Sequence, residues 1–600
     1  MSELPLSARD VEFLLYELLD VERLCEHPRF GEHGRESFDA MLGTARRIAE
    51  ERFLPYHRKA DEEGVKLVDG KVTPIPETKA AYDAAAEAGF LAAHHDEAVG
   101  GLQLPWVVTQ AAFAHFKAGS VQLFSYHFLT IAAANMLATF GSEEQKALYL
   151  PRMLDGRFTG TMALTEPQAG SGLADLSTKA TPSGDGSYRI KGAKIFTSCA
   201  EHELSENIIH MVLGRIEGAP QGTKGISLFL VPRYRLDRGG EPGEPNDVVM
   251  TGMLEKMGWH GNTSSPVNFG ENDDCLGWLI GEPHRGLFYM FSMMNEARIG
   301  IGLGGAVLAC CGYSASLAYA RERPQGRLPS NKDPDSPPVA IVEHADIKRM
   351  LLAQKAYAEG SLALVLYAAS LVDEQKTAPD AAARKRAGLL LDVLTPIVKS
   401  YPAEYGTLAN SHAVQVLGGY GYTKDFPVEQ YLRDNRLNAI HEGTTGIQAL
   451  DLLGRKVGME DGAAFTALAT AIEDTIEEAR GDNALGAMAG ELADALECVK
   501  ETTWALLAAK DGGEIDLALA NATLYLDTLG QVVIAWTWLR QAVVAAARAT
   551  GASGKNANFY AGKLQACRYI FRWELPKTGQ QCALLAGLDA TTLEMQDEWF

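Results

Sequence analysis

The chain has 600 residues, 46% hydrophobic and 22% charged, the proportions of an ordinary globular protein with room for a large core. Its 59 glycines and 25 prolines exclude a collagen-like or low-complexity chain. With 55 Lys and Arg against 77 Asp and Glu, the net charge of -22 opposes a surface built for nucleic-acid phosphates or anionic lipid.

The N-terminus, MSELPLSARDVEFLL, has Glu3 and Asp10 and no basic stretch before its apolar run, so neither a secretory signal nor an Arg-rich transit peptide is expected. Residues 1–36 predict an N-terminal helical extension, with Val11, Leu14, Leu15, Leu18 and Leu19 at helical spacing. Residues 37–157 read as helical throughout, and Ser142 with Gln145 three residues on predicts a capping box. Over residues 158–283 the pattern changes to short β-type runs separated by turn-rich stretches such as TPSGDGS and DRGGEPGEPND. Helices return over 284–456, interrupted by a surface loop at about 326–340, and continue through an Ala-rich region, 457–600, that suits packing and assembly. The expected fold is therefore mainly α with a central β-barrel or sandwich-like domain. Strands and helices do not alternate as in a doubly wound fold.

Two stretches, Ile299–Ala320 and Val532–Ala547, are apolar enough to attract a hydropathy scan. The first is rich in Gly, Ala and Ser and the second contains Arg540, so both predict buried helices and no integral membrane segment. Eight cysteines without a C-x-x-C predict neither a zinc site nor a disulfide framework, which points to a reducing, cytoplasmic setting. Adjacent Cys310 and Cys311 read as helix packing. Gly300-x-Gly302-x-x-Gly305 matches a dinucleotide fingerprint formally. It lies inside a helical run rather than between strand and helix, so close helix packing is expected instead.

Three segments carry polar groups in places where a ligand could use them. Thr161–Gly172 runs from a strand into a loop with the Thr165 hydroxyl and the small residues Ala169, Gly170 and Ser171. Lys191–Ser198 is a strand ending in Phe196 beside two hydroxyls, and Asn438–Gly446 places the Glu442 carboxylate in a Gly/Thr turn after Arg433 and Asp434. Each alone is better read as a structural feature: a hairpin turn, a strand end and a helix N-terminus.

Together and in order, LTEPQAGSG, GAKIFTS, GMLEKMGWHG, the helix with Asn295 and Arg298, QVLGGYGYTKDFPVEQYLRD and HEGTTGIQ resemble the acyl-CoA dehydrogenase family of flavoproteins. The resemblance spans about Ser37 to Lys456 and is strongest to the long bacterial branch, which includes fatty-acyl-CoA and 3-methylmercaptopropionyl-CoA dehydrogenases. It implies a helical domain, a β domain and a four-helix domain, followed here by a further helical C-terminal domain. It also implies FAD and removal of hydrogen across C2–C3 of an acyl-CoA thioester to give a trans-2-enoyl-CoA, as in β-oxidation, with electrons passing to an electron-transfer flavoprotein. A proton α to a thioester is too weakly acidic for a free carboxylate, so such a site must desolvate its base and hydrogen-bond the developing enolate.

Residue by residue, the resemblance makes Glu442 the catalytic base, its N–H helping to hold the thioester oxygen. Ala297 occupies the family's alternative base position and cannot serve, while Glu296 points elsewhere around the helix. Leu164, Thr165, Gly170, Ser171, Phe196, Ser198, Arg323, Gln415, Gly418, Gly419 and Thr444 fall on FAD positions, and Ser171, Arg298 and Gly443 on substrate positions, an intrahelical structural pair being the equal alternative for Arg298. No metal ligand is implied. Glu322-Arg-Pro-Gln-Gly-Arg327 lacks the family's aromatic after the arginine, Gly446 replaces a common Gln, and His441 replaces a common Tyr. His441 either tunes the neighbouring carboxylate or bonds the loop. A homodimer or higher homo-oligomer is implied. An oxygen-using acyl-CoA oxidase and a non-dehydrogenating DNA-binding flavoprotein are the alternatives; the acidic charge and the retained Glu442 oppose the second.

Overall fold

The structure, a computed structural model, describes residues 3–68, 71–482 and 484–600, the side chains of 291–294 excepted. It divides into two compact units, Met1–Leu4 with Arg29–Gly300, and Pro5–Pro28 with Ile301–Phe600.

The first unit begins with helices α1 (Arg35–Ile48), α2 (Glu77–Glu87), α3 (Trp106–Phe140) and α4 (Glu143–Leu154). The expected capping box is present: Ser142 Oγ accepts from Gln145 N at 3.1 Å, and Gln145 Oε1 accepts from Ser142 N at 2.9 Å. This region is not helical throughout, because Lys66–Val68 and Lys71–Thr73 form an antiparallel pair. Helix α3 is broken by extended backbone at Ser120 (φ -169°, ψ 112°).

The β module has eight described strands in one sheet: β1 (Phe158–Ala163), β2 (Lys179–Pro182), β3 (Tyr188–Ser198), β4 (Asn207–Ile216), β5 (Ile226–Pro232), β6 (Val248–Met250), β7 (Ser264–Phe269) and β8 (Leu276–Leu279). Their order is β6-β7-β3-β8-β5-β4-β1, with β2 pairing β3 and β4. The β1–β4 and β2–β4 pairs are parallel and the others antiparallel. Side chains alternate across a strand, and β4 is covered on both faces. Ile209, Met211 and Leu213 pack with Met136, Leu137 and Met153 of the helices. Val212 joins Ile190, Phe229, Val231 and Phe269 on the other face. Within the stretch read as turns, Pro242–Pro245 pairs with Tyr234–Leu236.

Helix α5 (Gly286–Glu322) runs from the first unit into the second, which continues with α6 (Ala345–Thr377), α7 (Ala381–Leu417), α8 (Val428–Arg436) and α9 (Thr445–Gly454). Five longer helices follow: α10 (Ala463–Arg480), α11 (Gly486–Asp511), α12 (Ala522–Ala549), α13 (Gly554–Tyr569) and α14 (Lys577–Ala586). The formal glycine fingerprint is a packing device here. A Cβ on Gly302 would meet the Val398 carbonyl oxygen at 2.1 Å, and one on Gly305 would meet that of Pro402 at 2.7 Å. Pro402 has no N–H to give the carbonyl four residues back, so α7 offers α5 an open carbonyl where only glycine fits.

The N-terminal extension is shorter than one continuous helix. An α-helical turn at Ala8–Glu12 passes into a π-helical one at Phe13–Leu18, and Asp20 at φ 47° ends it. Val11, Leu14 and Leu15 are buried as their spacing predicts, whereas Leu18 is only partly covered. Within the second unit this segment is anchored by Lys563, which bonds Asp10, Glu359 at 2.8 Å and Gln541 at 3.0 Å. Three helices are long and apolar enough to cross a membrane: Trp106–Phe140, Asn295–Glu322 and Ala522–Ala549. The sequence reading had flagged only the second and third. Most of each apolar window is buried inside the protein, which accounts for its composition.

Candidate active site

The six expected cofactor residues of the first unit lie on one loop and one strand end. Leu164 and Thr165 follow β1, Gly170 and Ser171 are exposed in the next loop, and Phe196 and Ser198 end β3. Two features hold this face. In the β3–β7 pairing, Ile195 and Phe196 together oppose Pro266. Proline donates no ladder bond, so a bulge forms, and a bulge re-aims the side chains it carries. Ile195 N–H turns instead to the Thr165 carbonyl at 2.9 Å. Phe196 takes φ 57° and its ring stands 63% exposed.

The second feature is a buried ion pair. Lys194 Nζ lies 2.9 Å from Glu166 Oε1, both side chains being fully buried, and also donates to the Leu164 carbonyl at 3.0 Å. Glu166 accepts from the N–H and hydroxyl of both Ser177 and Thr178, at 2.6 to 3.0 Å, and from Gln168. Burial disfavours the carboxylate, but Lys194 and these hydroxyls outweigh it and hold Glu166 down at about 2. Burial likewise brings Lys194 down to about 8 against the pull of Glu166. Reading the sequence missed both residues, although Glu166 lies inside the LTEPQAGSG string.

In the second unit the expected residues form two groups. Arg323, Gly418 and Gly419 line a cavity of about 530 Å³ together with Tyr319, Gln325 and Tyr420. Gly418 ends α7 at φ 61°, and open space surrounds the Cβ positions of both glycines. Gln415 is exposed on α7 and does not line this cavity. None of the base-turn residues lines it either.

Glu442 precedes α9, partly buried, at φ 53°, and Gly443 follows at φ 90°. The Thr444 hydroxyl caps α9 by accepting from Ile447 N at 3.3 Å, which leaves its own proton free to donate. Gln448 Nε2 donates to the Glu442 carbonyl at 3.1 Å, and the fully buried Lys399 donates to the Gly443 carbonyl at 2.8 Å. Lys399 is a third residue that the sequence reading missed. His441 bonds the loop, its Nε2 lying 3.2 Å from Asn438 Oδ1. Arg298 is buried within α5. Glu296 accepts from Asn135 Nδ2 at 2.8 Å.

Each unit by itself carries groups whose chemistry suits part of a flavin dinucleotide. A solvent-facing aromatic near the Thr165 and Ser198 hydroxyls offers a ring face and a polar edge, and an exposed arginine lining one cavity with two side-chain-free residues suits a diphosphate. Among the described residues, no group of three or more His, Cys, Asp or Glu could hold a metal ion.

Comparison with known proteins agrees. The chain matches the acyl-CoA dehydrogenase N-terminal domain over residues 35–157, the middle domain over 161–271 and the C-terminal domain over 284–457. A further model, "Acetyl-CoA dehydrogenase C-terminal like", matches 468–596. The chain is 36% identical to the 3-methylmercaptopropionyl-CoA dehydrogenase of Ruegeria pomeroyi over 93% of both chains. It is 34% identical to the broad-specificity linear acyl-CoA dehydrogenase of Mycobacterium tuberculosis over 100% of both, and 32% identical to a butyryl-CoA dehydrogenase of Syntrophomonas wolfei over 99% and 98%. Among solved structures, an acyl-CoA dehydrogenase complexed with FAD from Bacillus anthracis shares the fold (TM-score 0.74, 19% identity, 94% of this chain and 90% of that one). So does the Caenorhabditis elegans ACDH-11 complex with C11-CoA (TM-score 0.70, 17% identity, 99% and 91%). The chain belongs to the acyl-CoA dehydrogenase family and is an FAD-dependent dehydrogenase of acyl-CoA thioesters.

Proposed function

We propose that Glu442 is the base that takes the C2 proton of a straight-chain fatty acyl-CoA, medium to long, giving the trans-2-enoyl-CoA, and that the electrons leave through an electron-transfer flavoprotein. The observation that carries this is the base turn itself. A partly buried carboxylate stands at a left-handed corner whose next carbonyl is held by a buried lysine. FAD, when bound, supplies the N5 acceptor for the C3 hydride. The chain's own residues do the rest: Glu442 takes the proton, its N–H steadies the thioester oxygen, and the Phe196 ring offers the flavin an apolar face.

Thr165 and Ser198 serve the flavin edge, with the Leu164 and Gly170 backbone beside them. Ser171 lies between diphosphate and pantetheine, and Arg323, Gln415, Gly418, Gly419 and Thr444 hold the rest of the dinucleotide. Arg298 and Gly443 lie by the substrate. Full-length similarity to the relative named for broad-specificity linear acyl-CoAs supports the choice of chain. The 36% identity to the 3-methylmercaptopropionyl-CoA enzyme favours that short sulfur-containing thioester as the second reading. Eight cysteines with no disulfide among the described residues support a reducing cytoplasm.

Anaerobic bleaching of the bound flavin by acyl-CoAs from butyryl to palmitoyl, with 3-methylmercaptopropionyl-CoA alongside, tests the reading. The fastest bleaching is expected from the linear medium and long chains. Bleaching by the sulfur compound alone would select the second reading, and air reoxidation as fast as turnover would make the enzyme an oxidase.

A further inference from the structure

Lys399 lies in the middle of α7, 44 positions before Gly443, and its side chain is fully buried. A buried ammonium is costly unless it is well used, and an apolar residue would pack α7 into the bundle at lower cost. It donates a hydrogen bond to the carbonyl of the residue that follows the proposed base. That site needs holding. Glu442 and Gly443 are consecutive left-handed residues, and a glutamate at φ 53° stays there only if its surroundings impose it.

The turn is held from both sides. After the base, Lys399 and Gln448 donate to the carbonyls of Gly443 and Glu442. Before it, His441 joins a chain of buried amides. Asn438 Nδ2 donates to Asn435 at 3.0 Å, Asn435 Nδ2 donates to Asn410 at 2.7 Å, and Asn410 Nδ2 donates to the Leu308 carbonyl of α5 at 2.8 Å. The carboxylate therefore projects from a corner whose two neighbours are tied to the helix bundle.

We propose that Lys399 is the positioning residue of the base turn. It fixes the direction of the Glu442 side chain and of the Glu442 N–H, so that its loss slows proton removal without weakening substrate binding. The inference rests on Glu442 being the base. Displacement of a reacting group by about 1 Å is enough to cost roughly 100-fold in rate.

The test uses the full-length FAD-loaded enzyme and octanoyl-CoA, with Lys399→Met, Lys399→Gln and Glu442→Gln in parallel. For Lys399→Met, flavin reduction is expected to slow about 100-fold while the octanoyl-CoA Kd stays within about 3-fold and the C2-deuterium isotope effect on reduction rises. Lys399→Gln keeps an N–H donor and should fall between this variant and wild type. FAD content and flavin spectrum should stay at wild-type values. Reduction by Lys399→Met at the wild-type rate would overturn the proposal, as would a rate loss matched by FAD loss with no change in the isotope effect. If Lys399→Met does not fold, Lys399→Gln decides by the same isotope effect. If Glu442→Gln also reduces at the wild-type rate, the base assignment fails; if only the lysine variants do, the positioning role alone fails.

Discussion

The Phe196 corner of the first unit and the Glu442 turn of the second use the same device in different chemical settings. Phe196 at φ 57° and Glu442 at φ 53° are non-glycine residues in left-handed backbone, each presenting a side chain expected to work. Beside each, a buried lysine donates to a backbone carbonyl: Lys194 to Leu164 and Lys399 to Gly443. Lys194 is neutralised by Glu166, which itself accepts a ring of hydroxyl and N–H donors. Lys399 serves the turn of Glu442, the proposed base. The first corner is locked by a buried ion pair beside its backbone bond, and the turn at Glu442 is steadied through the carbonyl of the residue that follows it.

The sharpest way to break this comparison is Glu166→Gln, which leaves the buried Lys194 charge uncompensated. A loss of about 3–5 kcal/mol in stability is expected, with release of FAD, read as a drop in melting temperature and in the 450 nm absorbance that co-purifies. Lys399→Met, by contrast, should keep its flavin. A Glu166→Gln enzyme that melts and retains FAD like wild type would show that the ion pair does not hold the loop.

The same pair predicts a pH dependence. The Glu166 carboxyl is held below its ordinary value, so its contribution is complete above about 4.5 and is lost as the pH falls toward about 2. Melting temperature followed from pH 6 to 3 should drop steeply in wild type and less steeply in Glu166→Gln. Parallel curves would contradict the assignment.

The smallest effect concerns a lysine that serves no carbonyl. Lys117 in α3 is buried with its ammonium 4.6 Å from the Phe128 ring centroid and 5.6 Å from that of Phe124, and burial brings it down to about 7. The unfolded chain holds that proton up to about 10.5, so stability should rise as pH climbs from about 7 to 10. Lys117→Met should stabilise the protein at pH 6 by roughly 2–4 kcal/mol, leave flavin reduction unchanged and flatten that rise. Loss of activity in this variant would show that burial of a lysine, rather than the carbonyl it serves, is what matters.

Much of this site was readable in the sequence because its parts are local strings. Thr165, Ser171, Phe196, Ser198 and Glu442 each sit in a contiguous motif, and the capping box at Ser142 depends on residues three apart. What was missed depends on distant partners. Lys399 reads as one more helix lysine until Gly443 is seen beside it, and the bulge at Phe196 needs Pro266 of another strand. The short pair at 66–73 was hidden because its Lys, Leu and Val residues are largely exposed and carry no clear alternation. The apolar character of α3 went unnoticed because His115, Lys117, Gln110 and Gln122 interrupt it, although all four are buried.

The central claim is that Glu442 removes the C2 proton at a turn built for it. Rapid mixing of Glu442→Gln with octanoyl-CoA without oxygen tests this most directly. The variant should fold, hold FAD with a wild-type spectrum and bind the thioester, yet reduce its flavin more slowly by at least about 1,000-fold, the size of contribution expected of a single general base. Reduction within a few-fold of the wild-type rate would contradict the account and move the base elsewhere in the chain.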